Sequence, residues 1–168
     1  TVTARDHAGN QTVAHSTVTV VDETKPTATI DTPADGAVYK RNEQVAASYT
    51  CADEAGGSGL DTCVGDVANG ANVDTTALGQ HSFTVTATDH AGNTDSAVTH
   101  YTVVDATAPT IAIGSPADGA TYGLGEQVTA SYSCADEAGG SGLATCSGTV
   151  PSGSAIDTSS VGQKSFKV

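Results

Sequence analysis

The stretch EQVAASYTCADEAGGSGL at residues 43–60 recurs as EQVTASYSCADEAGGSGL at residues 126–143, a spacing of 83 residues. Before the cysteine, apolar residues alternate with small or polar ones, so that Val45, Ala47 and Tyr49 share one face of an extended chain. A period of two is typical of a half-buried strand. The acids and glycines after the cysteine indicate a loop. The quoted stretch therefore predicts a strand that runs into a turn-rich loop, and the chain carries it twice.

The same spacing relates the flanking sequence. DETKPTATIDTPADGAVY begins at Asp22 and DATAPTIAIGSPADGATY begins at Asp105, while TVTARDHAGN at residue 1 matches TVTATDHAGN at residue 84. A fixed period of this kind indicates a repeat architecture. We interpret residues 1–21 as the C-terminal two-strand tail of a preceding repeat, residues 22–104 as a complete repeat and residues 105–168 as a repeat lacking its last strands. The parent protein is expected to carry at least three repeats.

The predicted fold class is all-β. A further alternating stretch, FTVTATD at residues 83–89, places Phe83, Val85 and Ala87 on one face and threonines on the other. PADG and HAGN mark turns between such stretches, and no helical apolar stripe is present. About seven short strands in each period are typical of an immunoglobulin-like sandwich. We expect tandem immunoglobulin-like β-sandwich repeats, arranged end to end with almost no linker.

The charge of the chain excludes several classes of partner. Nineteen acidic residues face six basic ones, for a net charge of −13. Nucleic-acid binding needs Lys and Arg to displace counterions from phosphates, and an anionic membrane surface attracts the same residues. No apolar run approaches the length of a membrane span. We therefore expect no nucleic-acid partner and no membrane insertion, and the acidic excess favours cation binding.

The joined motifs TVTATDHAGN at residues 84–93 and VVDATAPT at residues 103–110 resemble the bacterial immunoglobulin-like repeats of large secreted and cell-surface proteins. The resemblance covers essentially the whole chain. It implies a β-sandwich used outside the cell as a stalk, spacer or adhesive module, and some members of that family bind calcium at the joints between domains. Cysteine pairs are not part of the usual pattern, so the chain resembles a disulfide-bearing subgroup.

The four cysteines form two pairs, each separated by eleven residues. Structural zinc sites use cysteine pairs that are closer in sequence. A thiol nucleophile needs a nearby base, and the candidate base His81 of one copy is replaced by Lys164 in the other. One pair per repeat and an acidic, secreted type of sequence favour disulfides over metal ligation or free thiols. The predicted bonds join Cys51 to Cys63 and Cys134 to Cys146.

Acidic residues are predicted to gather at one end of each repeat. In an immunoglobulin-like sandwich, the loops at residues 20–26, 52–60 and 89–93 lie at the same pole. Carboxylates that converge there are suitable oxygen ligands for calcium. The alternative is that these residues cap backbone amides in turns or face water. The candidate ligands are Asp22, Asp53, Glu54 and Asp89 at the first joint and Asp105, Asp136 and Glu137 at the next.

The function expected from these patterns is not enzymatic, because no base and nucleophile recur together in both copies. We expect a non-catalytic extracellular module, secreted or on the cell surface, that acts as a stalk, spacer or adhesive, filament-forming element. The alternative is a carbohydrate-binding or substrate-anchoring accessory module of a secreted enzyme. The expected partners are other copies of the repeat, joined head to tail by strand complementation, and a surface glycan or protein receptor.

Overall fold

The computed structural model describes residues 1–168, which form ten β-strands and no helix. The chain is therefore all-β, as predicted, and it contains no helix that is long and apolar enough to cross a membrane. The strands are β1 (Val2–Arg5), β2 (Gln11–Ala14), β3 (Thr27–Thr32), β4 (Ala37–Lys40), β5 (Ser48–Ala52), β6 (Leu60–Gly65), β7 (Gly79–Asp89), β8 (Thr94–Val104), β9 (Thr110–Ser115) and β10 (Ser131–Ala135).

Residues 22–104 form two sheets. One pairs β3 with β5, and the other has the strand order β4-β8-β7-β6. All pairs are antiparallel except β4 with β8, which run parallel. About seven strands were expected from the immunoglobulin-like pattern, whereas the structure forms six and adds an isolated bridge between Ala46 and Asn72. The two sheets face each other, an arrangement consistent with a β-sandwich.

The core of this segment lies between the two sheets. Val45, Ala47 and Tyr49 are buried on one side, and Phe83 and Val85 are buried on the other. The rings of Tyr49 and Phe83 lie 6.0 Å apart across the interface. Because the intervening residues of both stretches are less buried, the predicted alternation is confirmed. The core has few large side chains, so additional covalent support matters for its stability.

Both predicted disulfides are present. Cys51 lies in β5 and Cys63 in β6, so the first bond links the two sheets, with the Cα atoms 5.8 Å apart. Cys134 and Cys146 are joined in the same way, with a Cα separation of 5.9 Å, and no cysteine is free. Such bonds are typical of proteins in an oxidising, extracellular-type environment.

Residues 105–168 repeat part of this pairing. Thr110 of β9 pairs with Ala135 of β10, as Thr27 pairs with Ala52 83 residues earlier. No strand corresponds to β4 or β6. In the preceding segment these strands pair with β8 and with the second half of β7, and all the corresponding positions except that of Val85 lie beyond residue 168. Residues 120–123 and 143–147 therefore have no ladder partner among residues 1–168, which explains their irregular conformation.

Residues 1–21 form a hairpin of β1 and β2 that is exposed throughout. Val2 pairs with Ala14, which is the register of Val85 with Ala97 in β7 and β8. The environments differ, because Val2 is 72% exposed and Val85 is fully buried. The hairpin thus has the backbone pairing of the β7–β8 pair without the opposite sheet that would cover its apolar face.

Candidate metal centre

Three loops converge at one pole of segment 22–104, as expected from the sequence: residues 20–26, 52–60 and 89–93. The backbone N–H of Ala91 donates to Oγ of Ser58 at 3.1 Å. The side-chain amide of Asn93 donates to the carbonyl of Asp22 at 3.2 Å. These bonds connect the third loop to the second and to the first.

A group of three carboxylates lies in this region. One oxygen from each of Asp22, Asp53 and Glu54 lies within 4.8 Å of the others. Asp22 accepts hydrogen bonds from the backbone N–H of Ser58 at 2.7 Å and of Thr24 at 2.9 Å. These bonds orient the carboxylate across the loop, because an ionised acceptor forms short bonds to backbone donors.

Two oxygens of the carboxylates lack a hydrogen-bond partner. Oδ2 of Asp53 accepts from the backbone N–H of Gly59 at 2.7 Å, but its buried Oδ1 has no donor. Oε2 of Glu137, in the second copy of the loop, is also buried without a donor. An unsatisfied buried acceptor is costly, and a cation between the carboxylates would satisfy it.

A glycine lies directly beside each group of carboxylates. A Cβ atom built on Gly57 would lie 2.6 Å from Oε1 of Glu54 and 3.0 Å from Oδ2 of Asp22. At Gly140 the corresponding atom would lie 2.8 Å from Oδ2 of Asp136. The backbone therefore passes so close to the carboxylates that any side chain at these two positions would displace them.

The second group consists of Asp105, Asp136 and Glu137, whose oxygens also lie within 4.8 Å of one another. The backbone N–H of Ser141 donates to Asp105 at 2.7 Å, and that of Gly142 donates to Asp136 at 2.6 Å. The loop geometry thus recurs in both copies. The hydroxyl of Ser141 also donates to Asp105, at 2.7 Å.

The hydrogen bonds shift the pKa values of these acids in opposite directions. Bonds from Ser58 and Thr24 hold the pKa of Asp22 below its ordinary value. The pKa of Glu54 is raised: its own backbone N–H lowers the value, but desolvation and the neighbouring carboxylates of Asp53 and Asp22 together outweigh that bond. The aspartate is therefore ionised more readily than the glutamate beside it.

The second group shows the same division. The pKa of Asp105 is lowered by bonds from Ser141 and Thr107. The pKa of Glu137 is raised, since desolvation, Asp136 and Asp105 outweigh the bond from its own backbone N–H. In both groups the ionised glutamate is destabilised by its acidic neighbours, a condition that a divalent cation relieves.

The structure does not bring Asp89 into the first group. Its side chain is 2% exposed and accepts bonds from both the backbone and the side-chain N–H groups of Asn93, each at 2.8 Å. Asp6 makes the same two bonds to Asn10 in the N-terminal hairpin. Asp89 therefore stabilises the turn of its own loop, as acidic residues commonly do.

Sequence reasoning missed the role of the serine and of the middle glycine in this loop. The pattern ADEAGGSGL gave no reason to single out Ser58 as a hydrogen-bond donor or Gly57 as a close neighbour of the carboxylates. The available signal was that these residues are unchanged in the second copy, as Ser141 and Gly140.

Comparisons with protein-family models, with curated proteins and with solved structures find no significant match to this chain.

Proposed function

We propose that the chain is a non-catalytic spacer or stalk built from tandem immunoglobulin-like repeats. One observation carries the proposal: β8 ends at Val104, and the next residue, Asp105, already accepts hydrogen bonds from Ser141 of the following segment. Flexible tethering of domains requires linker residues that are free of such contacts. When no residue at the junction is free, the orientation of one segment fixes the orientation of the next.

The place of action that we propose is outside the cell, in a secreted or surface-attached bacterial protein that is similar to the immunoglobulin-like repeat family. Support comes from the two disulfides, from the acidic composition and from the motifs TVTATDHAGN and VVDATAPT. An adhesive role for the same repeats is compatible with these features, with a surface glycan or a protein receptor as its target.

Calcium is the ligand that we propose for the two carboxylate groups. Ca²⁺ takes about six to eight oxygens in irregular geometry, and backbone carbonyls and water complete its shell. Asp22, Asp53 and Glu54 fit this chemistry because they offer closely spaced oxygens, one of them without a donor, beside a glycine that leaves room. Bound calcium would neutralise the repulsion and hold the chain entering the segment against the cysteine loop.

We propose that copies of the 168-residue polypeptide associate with one another. Leu143 and Cys146 line a hollow of about 220 Å³ in the second segment. In the first segment, the corresponding Leu60 and Cys63 pair with β7. The hairpin 1–21 carries the matching sequence in the matching register. Docked in a second copy, it would cover this hollow and extend a head-to-tail chain.

The spacer and calcium proposals are tested on the whole chain. Small-angle X-ray scattering should give an elongated particle whose maximum dimension becomes better defined when Ca²⁺ is added. Calorimetric titration should show Ca²⁺ uptake, and Mg²⁺ at the same concentration should compete weakly, because it demands a smaller octahedral site. A flexible scattering profile would contradict the spacer. Absence of Ca²⁺ uptake would contradict the cation site and leave the spacer standing.

A further inference from the structure

Arg41 connects the two segments. It follows β4, and its backbone N–H donates to the carbonyl of Val104, the last residue of β8, at 2.9 Å. Its side chain then reaches in two directions. Nε donates to the carbonyl of Thr76 at 2.9 Å, within its own segment, and Nη1 donates to the carbonyl of Ala138 at 2.7 Å, in the next segment.

The contact requires a guanidinium group. The planar side chain of arginine carries five N–H donors in a fixed arrangement, so one group can donate to two separate carbonyls. A lysine ammonium is a single centre on a flexible stem and cannot span the same two acceptors. The backbone of Arg41 is itself hydrogen-bonded within its own segment. Its side chain therefore connects a fixed position in one segment to the loop of the other.

The receiving loop is shaped for the arginine. A Cβ atom built on Gly139 would lie 2.7 Å from Cζ of Arg41, so the guanidinium packs directly on the glycine backbone. The corresponding residue in the first copy of the loop, Gly56, has no atom within 4 Å of such a Cβ. Gly139 immediately precedes Gly140, which lies against the carboxylates, so the arginine contacts the same loop that presents the second acidic group.

The residue is not repeated. The position 83 residues after Arg41 is Leu124, whose side chain is 69% exposed. Leucine has no donor and cannot bind the carbonyls of a neighbouring loop. The copy that carries Arg41 can therefore make this contact, and the copy that carries Leu124 cannot.

We propose that Arg41 is a latch that docks segment 22–104 onto the cysteine loop of segment 105–168 and sets the angle between them. Arg41 recognises the backbone of the ADEAGG loop of the next repeat. It binds the carbonyl of Ala138 and packs on Gly139, which has no side chain. Joints that follow a leucine at this position lack the latch, so an array of such repeats would combine fixed and free joints.

The test is a measurement of relative orientation by NMR residual dipolar couplings on the full chain. It is made in a chelator, so that its outcome is separate from that of the calcium proposal. In the unmodified chain, one alignment tensor should fit the amides of β7 and β8 together with those of β9 and β10. In Arg41→Leu, the couplings of β9 and β10 should shrink relative to those of β7 and β8. Arg41→Lys should give the same loss, because one ammonium cannot replace the two-directional contact.

Matched variants separate the latch from general effects. Lys40→Leu removes a neighbouring positive charge whose ammonium makes no hydrogen bond, and it should leave the single tensor intact. Gly139→Ala should loosen the joint from the other side. Gly56→Ala is its control, because both glycines have positive φ, 80° and 89°, and only Gly139 faces the arginine.

Retention of the β7 and β8 couplings among themselves shows that segment 22–104 is folded in each variant, and β9 and β10 couplings that still fit one tensor of their own show the same for segment 105–168. The latch is overturned if the unmodified chain needs two tensors, or if Arg41→Leu and Gly139→Ala change the joint no more than their controls do.

Discussion

The carboxylate of Asp105 accepts a hydrogen bond from the backbone N–H of Ser141 at 2.7 Å, and Asp22 and Ser58 form the same bond at the same distance. In both cases the partners are 36 residues apart. The bond connects the first residue of each segment to the loop that follows the first cysteine of that segment. The entry point and the acidic loop therefore form one unit.

Replacing the glutamates should separate charge repulsion from calcium binding. In Glu54→Gln and Glu137→Gln, we expect a higher melting temperature than in the unmodified chain at neutral pH without calcium, because the raised pKa shows that the folded state disfavours the ionised glutamate. The calcium-dependent rise in melting temperature should shrink in each variant, since a ligand is lost. Scanning calorimetry with and without Ca²⁺ measures both effects. A variant that is less stable without calcium would contradict the interpretation.

The pH dependence should have two phases in the absence of calcium. A glutamate with a raised pKa contributes stability that is present below its ordinary pKa of 4.5 and lost as the pH rises through the folded value. Asp22 and Asp105 contribute stability that is present above 3.8 and lost as the pH falls below it. The melting temperature should therefore rise on acidification from neutral pH and then fall below about pH 3.8.

The control for this profile is the Glu54→Gln/Glu137→Gln double variant. It should lack the first phase and keep the second. A difference between the two profiles that does not change with pH would show that the glutamates do not titrate in the folded state as inferred.

The glycines beside the carboxylates should be required for calcium binding. In Gly57→Ala, the added methyl group would meet the carboxylates of Glu54 and Asp22, so we expect weaker calcium binding at the first group. Gly123→Ala is the control, because its nearest atom is the flexible end of Glu126 at 3.4 Å. Titration calorimetry measures both. Equal affinity in the two variants would argue against a site between these side chains.

Removal of the first disulfide should lower stability substantially. Replacing Cys51 and Cys63 together by alanine should reduce the free energy of unfolding by about 3 kcal/mol, the value for closing a loop of this size in the chain-entropy model. The bond also links two sheets whose shared core is small. Urea unfolding followed by circular dichroism gives the difference. A loss well under 1 kcal/mol would mean that the bond adds little to the packing between the sheets.

Association between copies should depend on the inner face of the N-terminal hairpin. Light scattering of the 168-residue polypeptide should show a mass that increases with concentration, and Ala4→Asp should abolish the increase. The residue corresponding to Ala4 is Ala87, which is fully buried, so a charge there cannot be covered. Thr3→Asp changes the other face and should have no effect. A monomer at all concentrations, or equal effects of the two variants, would exclude the proposed docking.

Much of the fold follows from local patterns in the sequence. The alternation around Tyr49 and Phe83 predicts which residues are buried, because side chains of a strand point alternately to its two faces. The cysteine pairing is also local in origin: one pair recurs in each copy, on either side of one loop. The approach of Asp22 to Glu54 was likewise expected, since a sandwich places its loops at two poles.

Other features depend on contacts between residues far apart in the chain. The parallel pairing of β4 with β8 decides that Ala37–Lys40 is a strand, while residues 120–123, which lack such a partner, are irregular. The orientation of Asp89 toward Asn93, away from the other acids, depends on which donors surround it in the folded chain. Arg41 meets Ala138 across 97 residues. The sequence by itself determined the alternating stretches around Tyr49 and Phe83, the disulfides and the acidic loops, because these rest on neighbouring residues. Only the tertiary structure decided which donors meet which acceptors, because a hydrogen bond needs its two groups within about 3 Å in a suitable direction.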